Sequence, residues 1–126
     1  MHGTTSQWRR QVPRGYDRPV APAHCTVEQF TDPDGTARVV VQGELDLAAA
    51  PTLRDTLGSL RRDGRSTILD LRALTFMDSS GLRVLLEAGR ERETGWGVSL
   101  LLPPGGPVRR LIDVSGVEDA LPPPPR

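Results

Sequence analysis

The chain has 126 residues, enough for one domain with a modest core, and its 16 basic and 16 acidic residues cancel, so no overall field steers it toward nucleic acid or an anionic membrane. Every basic residue is arginine, and the missing lysine excludes a Walker A loop, a Schiff-base enzyme and a Ser–Lys dyad. Cys25 is the sole cysteine, which excludes an intramolecular disulfide and a thiolate zinc cluster.

Met1 to Ala23 is polar and arginine-rich, and Pro13, Pro19 and Pro22 interrupt it without any apolar period. We expect residues 1–24 to be a disordered arm, in which Trp8 and Tyr16 are either idle or anchors for a partner. Thr26 to Thr31 reads as a short strand with Val27 and Phe30 as its apolar members. Asp32-Pro33-Asp34-Gly35 is a turn signal, and Arg38 to Gln42 continues as an apolar strand ending in Gly43-Glu44-Leu45-Asp46. Two such runs joined by that turn suggest a β-hairpin.

A helix follows, with Ala50, Leu53, Leu57 and Leu60 on one face. Pro51 is tolerated only in a first turn, which places the start between Leu47 and Ala50, and Asp63-Gly64 stops it. Thr67 to Leu71 is the next strand, and Leu74-Thr75-Phe76 is its exit. From Ser80 to about Thr94, Leu82, Leu85, Leu86 and Gly89 recur at helical spacing. Val98 to Leu102 is a nearly unbroken apolar strand, and a last helix carries Val108, Leu111 and Ile112 inward before Ser115-Gly116. Residues 122–126 are a proline-rich stub. Strands alternating with helices imply crossovers and parallel pairing, so the fold class is α/β: one domain over residues 25–121, a mixed, mostly parallel sheet of about four strands covered by helices. No apolar run approaches a membrane span and no signal-peptide core precedes the domain, so a cytoplasmic location is expected.

Met77-Asp78-Ser79-Ser80-Gly81-Leu82 is the most informative stretch, because a carboxylate and two hydroxyls fall where a strand gives way to a helix. A helix N-terminus presents unpaired N–H groups and a favourable dipole for negative charge, so a phosphoryl group can be held there without unfolding its surroundings. The plainer reading makes Asp78 or Ser79 an N-cap and Gly81 a packing glycine. The two readings are compatible.

Enzyme chemistry finds little support. The histidines are His2 and His24, in or beside the arm, and the residues around Ser79 lack the glycines of a nucleophile elbow. Asp46, Asp70 and Asp78 are able to meet at the carboxyl ends of neighbouring strands and hold a cation, yet Asp70 reads equally well as a solvent-facing residue. We expect no catalytic set, no cofactor and no metal.

Three motifs in order resemble the STAS domain: Gly43 to Asp46, Leu74 to Leu82, and Val108 to Gly116. The chain is most similar to the bacterial anti-sigma factor antagonists over residues 25–121. The resemblance implies a domain that binds an anti-sigma factor with serine kinase activity and so frees a sigma factor. It makes Ser79 the phosphoacceptor, with a phosphoserine phosphatase reversing the modification. It places Glu44, Asp46, Asp78, Ser79, Ser80, Gly81 and Arg83 in the partner surface of a monomer or weak dimer, with no direct contact to nucleic acid or membrane. Arg83 stands where family members often have a small residue, which bears on partner identity. The other reading that the resemblance allows is an unphosphorylated scaffold, or a subunit of a larger signalling or transport complex.

Overall fold

The computed structural model describes residues 24–126, so the expectations for Trp8, Tyr16 and the rest of the arm before His24 lie outside the described residues. Four strands form one sheet in chain order: β1 (Cys25–Thr31), β2 (Ala37–Leu45), β3 (Thr67–Met77) and β4 (Val98–Leu101). β1 and β2 pair antiparallel, while β2–β3 and β3–β4 are parallel. Among the described residues the helices are α1 (Ala50–Arg62), α2 (Ser79–Glu93) and α3 (Pro107–Ser115), with a 3-10 turn at Glu118–Ala120. The α/β class and the mixed sheet agree with the sequence.

Local chemistry accounts for the hairpin. The N–H of Gly35 donates to the Asp32 carbonyl at 2.9 Å and Asp34 accepts from the N–H of Thr36 at 2.9 Å, so the turn closes on its own side chain. Alternation then buries Ala37, Val39 and Val41 along β2. In α1, Ala50, Leu53, Leu57 and Leu60 form the buried stripe, with Pro51 in the first turn. Leu69 and Leu71 from β3, Val98 and Leu100 from β4, and Val108 and Ile112 from α3 complete the core.

Several boundaries differ from the sequence reading. β3 runs on to Met77 instead of ending at Leu71, because Leu74 and Met77 return to the core after exposed Arg72 and Ala73. The β2–β3 register slips after Val40 to absorb the change in phase. In α2, Leu82 and Leu85 are buried as expected, but Leu86 is half-buried and Val84 and Ala88 share the buried stripe. In α3, Leu111 is half-buried beside buried Val108 and Ile112. The proline run is also engaged: the N–H of Leu100 donates to the Pro123 carbonyl at 2.9 Å, and Leu121 and Pro122 are buried.

Asp70 is buried within β3, opposite Val40, and is not a solvent-facing residue. Arg72 grips it with two side-chain bonds, Nε to Oδ1 at 3.0 Å and Nη2 to Oδ2 at 2.7 Å, and Arg38 stands 3.8 Å away. The Arg72 guanidinium, aided by its N–H and by Arg38, holds the Asp70 carboxyl below the usual carboxylate range against the opposing effect of burial. A depressed folded-state pKa contributes stability above the unfolded value of about 3.9, and that contribution is lost as pH falls through the folded value. Asp70→Asn should therefore lower Tm at pH 7, with the gap to the parent chain closing below about pH 4; thermal unfolding across pH checks this.

Candidate functional site

Because β2 and β3 are parallel, their carboxyl ends lie side by side, with Leu45 opposite Met77. The N–H of Asp78 donates to the Leu45 carbonyl at 3.2 Å and ties the two strand exits together. Such ends are where α/β folds carry functional groups. Asp46 leaves one strand there, and Asp78 and Ser79 leave the other.

Asp78 is extended, at φ −105° and ψ −171°, and is the N-cap of α2. Its Oδ1 accepts from the N–H of Ser80 at 2.8 Å and of Gly81 at 3.3 Å. Ser79 is the first residue of the helix and is exposed, while Ser80 is half-buried. Gly81 is buried where a Cβ would come within 2.6 Å of Met77 Cγ and 2.9 Å of Leu45 Cγ, so the helix meets the strand exits without room for a side chain. Arg83 is exposed one turn further on. Removing the cap in Asp78→Ala should cost about 0.5–2 kcal/mol, measured by urea unfolding, with Asp78→Asn retaining most of the stability.

The second wall comes from β2 and the entry to β1. Gly43 has φ +95°, and a Cβ there would collide with the His24 carbonyl, which accepts from the N–H of Glu44 at 3.0 Å. That close approach sets His24 over Asp46, with Nε2 and Oδ2 2.9 Å apart. Partial burial pushes the Asp46 carboxyl up, but the N–H of Ala49 and His24 outweigh it and hold the carboxyl below its ordinary value. Glu44 is exposed beside them. Donor atoms of His24, Glu44 and Asp46 lie within 4.8 Å of one another, the one such grouping among the described residues, and the direct His24–Asp46 bond already satisfies two of its members. Asp46, Asp70 and Asp78 do not meet, since Asp70 sits mid-strand with its arginines.

Two large apolar side chains flank the loop in the open. Leu47, next to Asp46, is 73% exposed, and Phe76, opposite Glu44, is 42% exposed. Exposed apolar groups here stand beside charged ones at the strand exits. Among the described residues no side-chain base hydrogen-bonds to Ser79, and His24 is taken up by Asp46. The Ser79 hydroxyl is thus accessible and has no side-chain base of its own among the described residues.

The family model described as "Mlab, STAS domain" matches residues 28–123. The chain belongs to the STAS domain family. It is 31% identical over 100 residues to the anti-sigma-F factor antagonist RsfB of Mycobacterium tuberculosis, covering 78% of this chain and 80% of that protein. An anti-sigma factor antagonist from Mycobacterium paratuberculosis superposes with a TM-score of 0.67 at 28% identity, over 86% of this chain and 92% of the other. The Bacillus cell fate determinant SpoIIAA in its phosphorylated form gives 0.60 at 28% identity, over 75% and 86%. These STAS relatives are anti-sigma factor antagonists, in accord with the resemblance carried by the three motifs. Within the STAS domain described here, no helix among the described residues is long and apolar enough to cross a membrane.

His24 and the exposure of Leu47 and Phe76 are the site features that sequence reasoning missed. His24 and Asp46 are 22 positions apart, and only the β1–β2 register brings them together.

Proposed function

We propose that this chain is an anti-sigma factor antagonist: it binds an anti-sigma factor that is also a serine kinase, frees a sigma factor, and lets go when Ser79 is phosphorylated. A phosphoserine phosphatase restores the binding form. The partner surface comprises Glu44, Asp46, Asp78, Ser79, Ser80, Gly81 and Arg83, with Leu47 and Phe76 as its apolar contacts. The protein carries no catalysis of its own and acts as a monomer or weak dimer in the cytoplasm.

The observation that carries this reading is the exposed Ser79 hydroxyl on the first residue of α2, at the paired strand exits that also carry exposed Glu44, Leu47 and Phe76. The names of the relatives supply the class of partner. Phosphorylation adds about −1.5 to −2 charges beside Asp78. The dipole of a 15-residue helix offsets part of that charge in the free domain, so the fold is retained. A partner packed over the hydroxyl has no such relief, and release follows from the interface, not from unfolding.

A displacement assay tests the reading. The unmodified chain should displace sigma factor from a complex with the cognate anti-sigma factor, and the form modified by kinase and ATP should not. Equal displacement by both forms would support the scaffold reading instead.

A further inference from the structure

We propose that Arg83 receives the phosphoryl group on Ser79, closing an ion pair across one turn of α2 that holds the modified state. The inference rests on Ser79 being the acceptor, and it adds the group on this chain that answers the new charge.

Three observations point to Arg83. First, two of the amides that the N-terminus of α2 offers an anion are already used: the N–H groups of Ser80 and Gly81 donate to Asp78 Oδ1 at 2.8 and 3.3 Å. A phosphoryl group on Ser79 therefore finds those two amides occupied and arrives beside a resident carboxylate, so a nearby cation has charge to answer. Second, Ser79 and Arg83 are both exposed and four residues apart on one helix, so their side chains lie one above the other on the same face, about 5–6 Å apart at Cβ. Third, the acidic neighbour that would compete for Arg83 is taken. Glu87, four residues on, pairs with Arg54 of α1 at 2.9 Å, and Arg83 makes no ion pair among the described residues.

The charges around the phosphoryl group set what must be overcome. Asp78 caps the same helix, and Asp46, with His24 bonded to it, and Glu44 come from β2 and the segment after it. All three carboxylates oppose a dianion at Ser79. Arg83 is the arginine that the helix places one turn away, and its planar fork matches phosphate oxygens in a bidentate manner. With Arg83 engaged on the phosphoryl group, the arginine also leaves the partner surface, so modification removes one attractive contact while adding a repulsive one.

The test uses the full chain with phosphoserine installed at position 79 by codon reassignment, so no kinase is needed. The second phosphate ionisation is followed by ³¹P NMR against pH at low salt. Arg83→Gln should raise that pKa by about 0.3 pH unit or more, the size of an exposed i, i+4 ion pair converted to a pH scale. Arg110→Gln, the same charge change at an exposed site on α3, should leave it in place. Equal values for the Arg83 and Arg110 variants would overturn the proposal. That outcome leaves phosphorylation of Ser79 standing, whereas a kinase that adds no phosphate to Ser79 removes the functional reading itself.

Discussion

Ser79→Ala is expected to accept no phosphate and to remain bound to the anti-sigma factor in the presence of ATP. The substitution deletes the acceptor oxygen without adding charge or bulk, and Ser79 is exposed at the first position of α2, so no packing is lost. The cap is untouched, because Asp78 and not Ser79 accepts from the Ser80 and Gly81 amides. In the parent chain, phosphorylation should weaken binding by the cost of an unpaired charge in a desolvated interface, about 2–5 kcal/mol, or roughly 30- to 4,000-fold in Kd. Ser79→Asp should weaken binding by less, since a carboxylate carries less charge and fewer acceptor oxygens than phosphate. Ser80→Ala should still be modified. Titration calorimetry of each variant against the anti-sigma factor, before and after kinase treatment, measures all four outcomes.

The largest effect on stability is expected at Leu85. Its side chain is fully buried on α2, and truncation to alanine removes core contacts and leaves a cavity, at a cost of about 2–5 kcal/mol. For a domain of this size that corresponds to a fall in Tm on the order of 10 °C or more. Leu86, adjacent in sequence and equal in hydrophobicity, is only half-buried, so Leu86→Ala should cost distinctly less. The contrast fixes the rotation of α2, and with it the direction in which Ser79 and Arg83 face. Urea unfolding of the two variants reads it directly, and equal losses would mean that the helix is rotated.

The legible parts of the fold were those written in local period and turn chemistry. The stripe of Ala50, Leu53, Leu57 and Leu60 needs only the 3.6-residue repeat, and the hairpin needs only Asp32 to Gly35. The motifs at the serine loop and the β2 exit pointed to the candidate site because their residue types are tied to backbone positions. Gly81, for instance, sits where no Cβ fits. What escaped was set by tertiary packing. Arg72 and Ala73 break the apolar run of β3, and only the slipped pairing with β2 lets Leu74 and Met77 rejoin the core. Leu86 follows the helical period as well as Leu85 does, but α1 packs against α2, so the buried stripe turns toward Val84 and Ala88. Asp70 reads in sequence as either a ligand or a surface residue, and neither holds once the strand closes around it and Arg72 folds back over its carboxylate. The bond from His24 to Asp46 depends on register across 22 residues and leaves no local mark.

Ser79 is the hydroxyl whose modification is proposed to end binding. The decisive experiment incubates the full chain with its cognate kinase and ATP and then maps the phosphopeptide by mass spectrometry. A single phosphate, on Ser79, is expected in the fraction that has dissociated from the kinase. A phosphate on Ser80, or no phosphate at all with a kinase shown to be active, would contradict it.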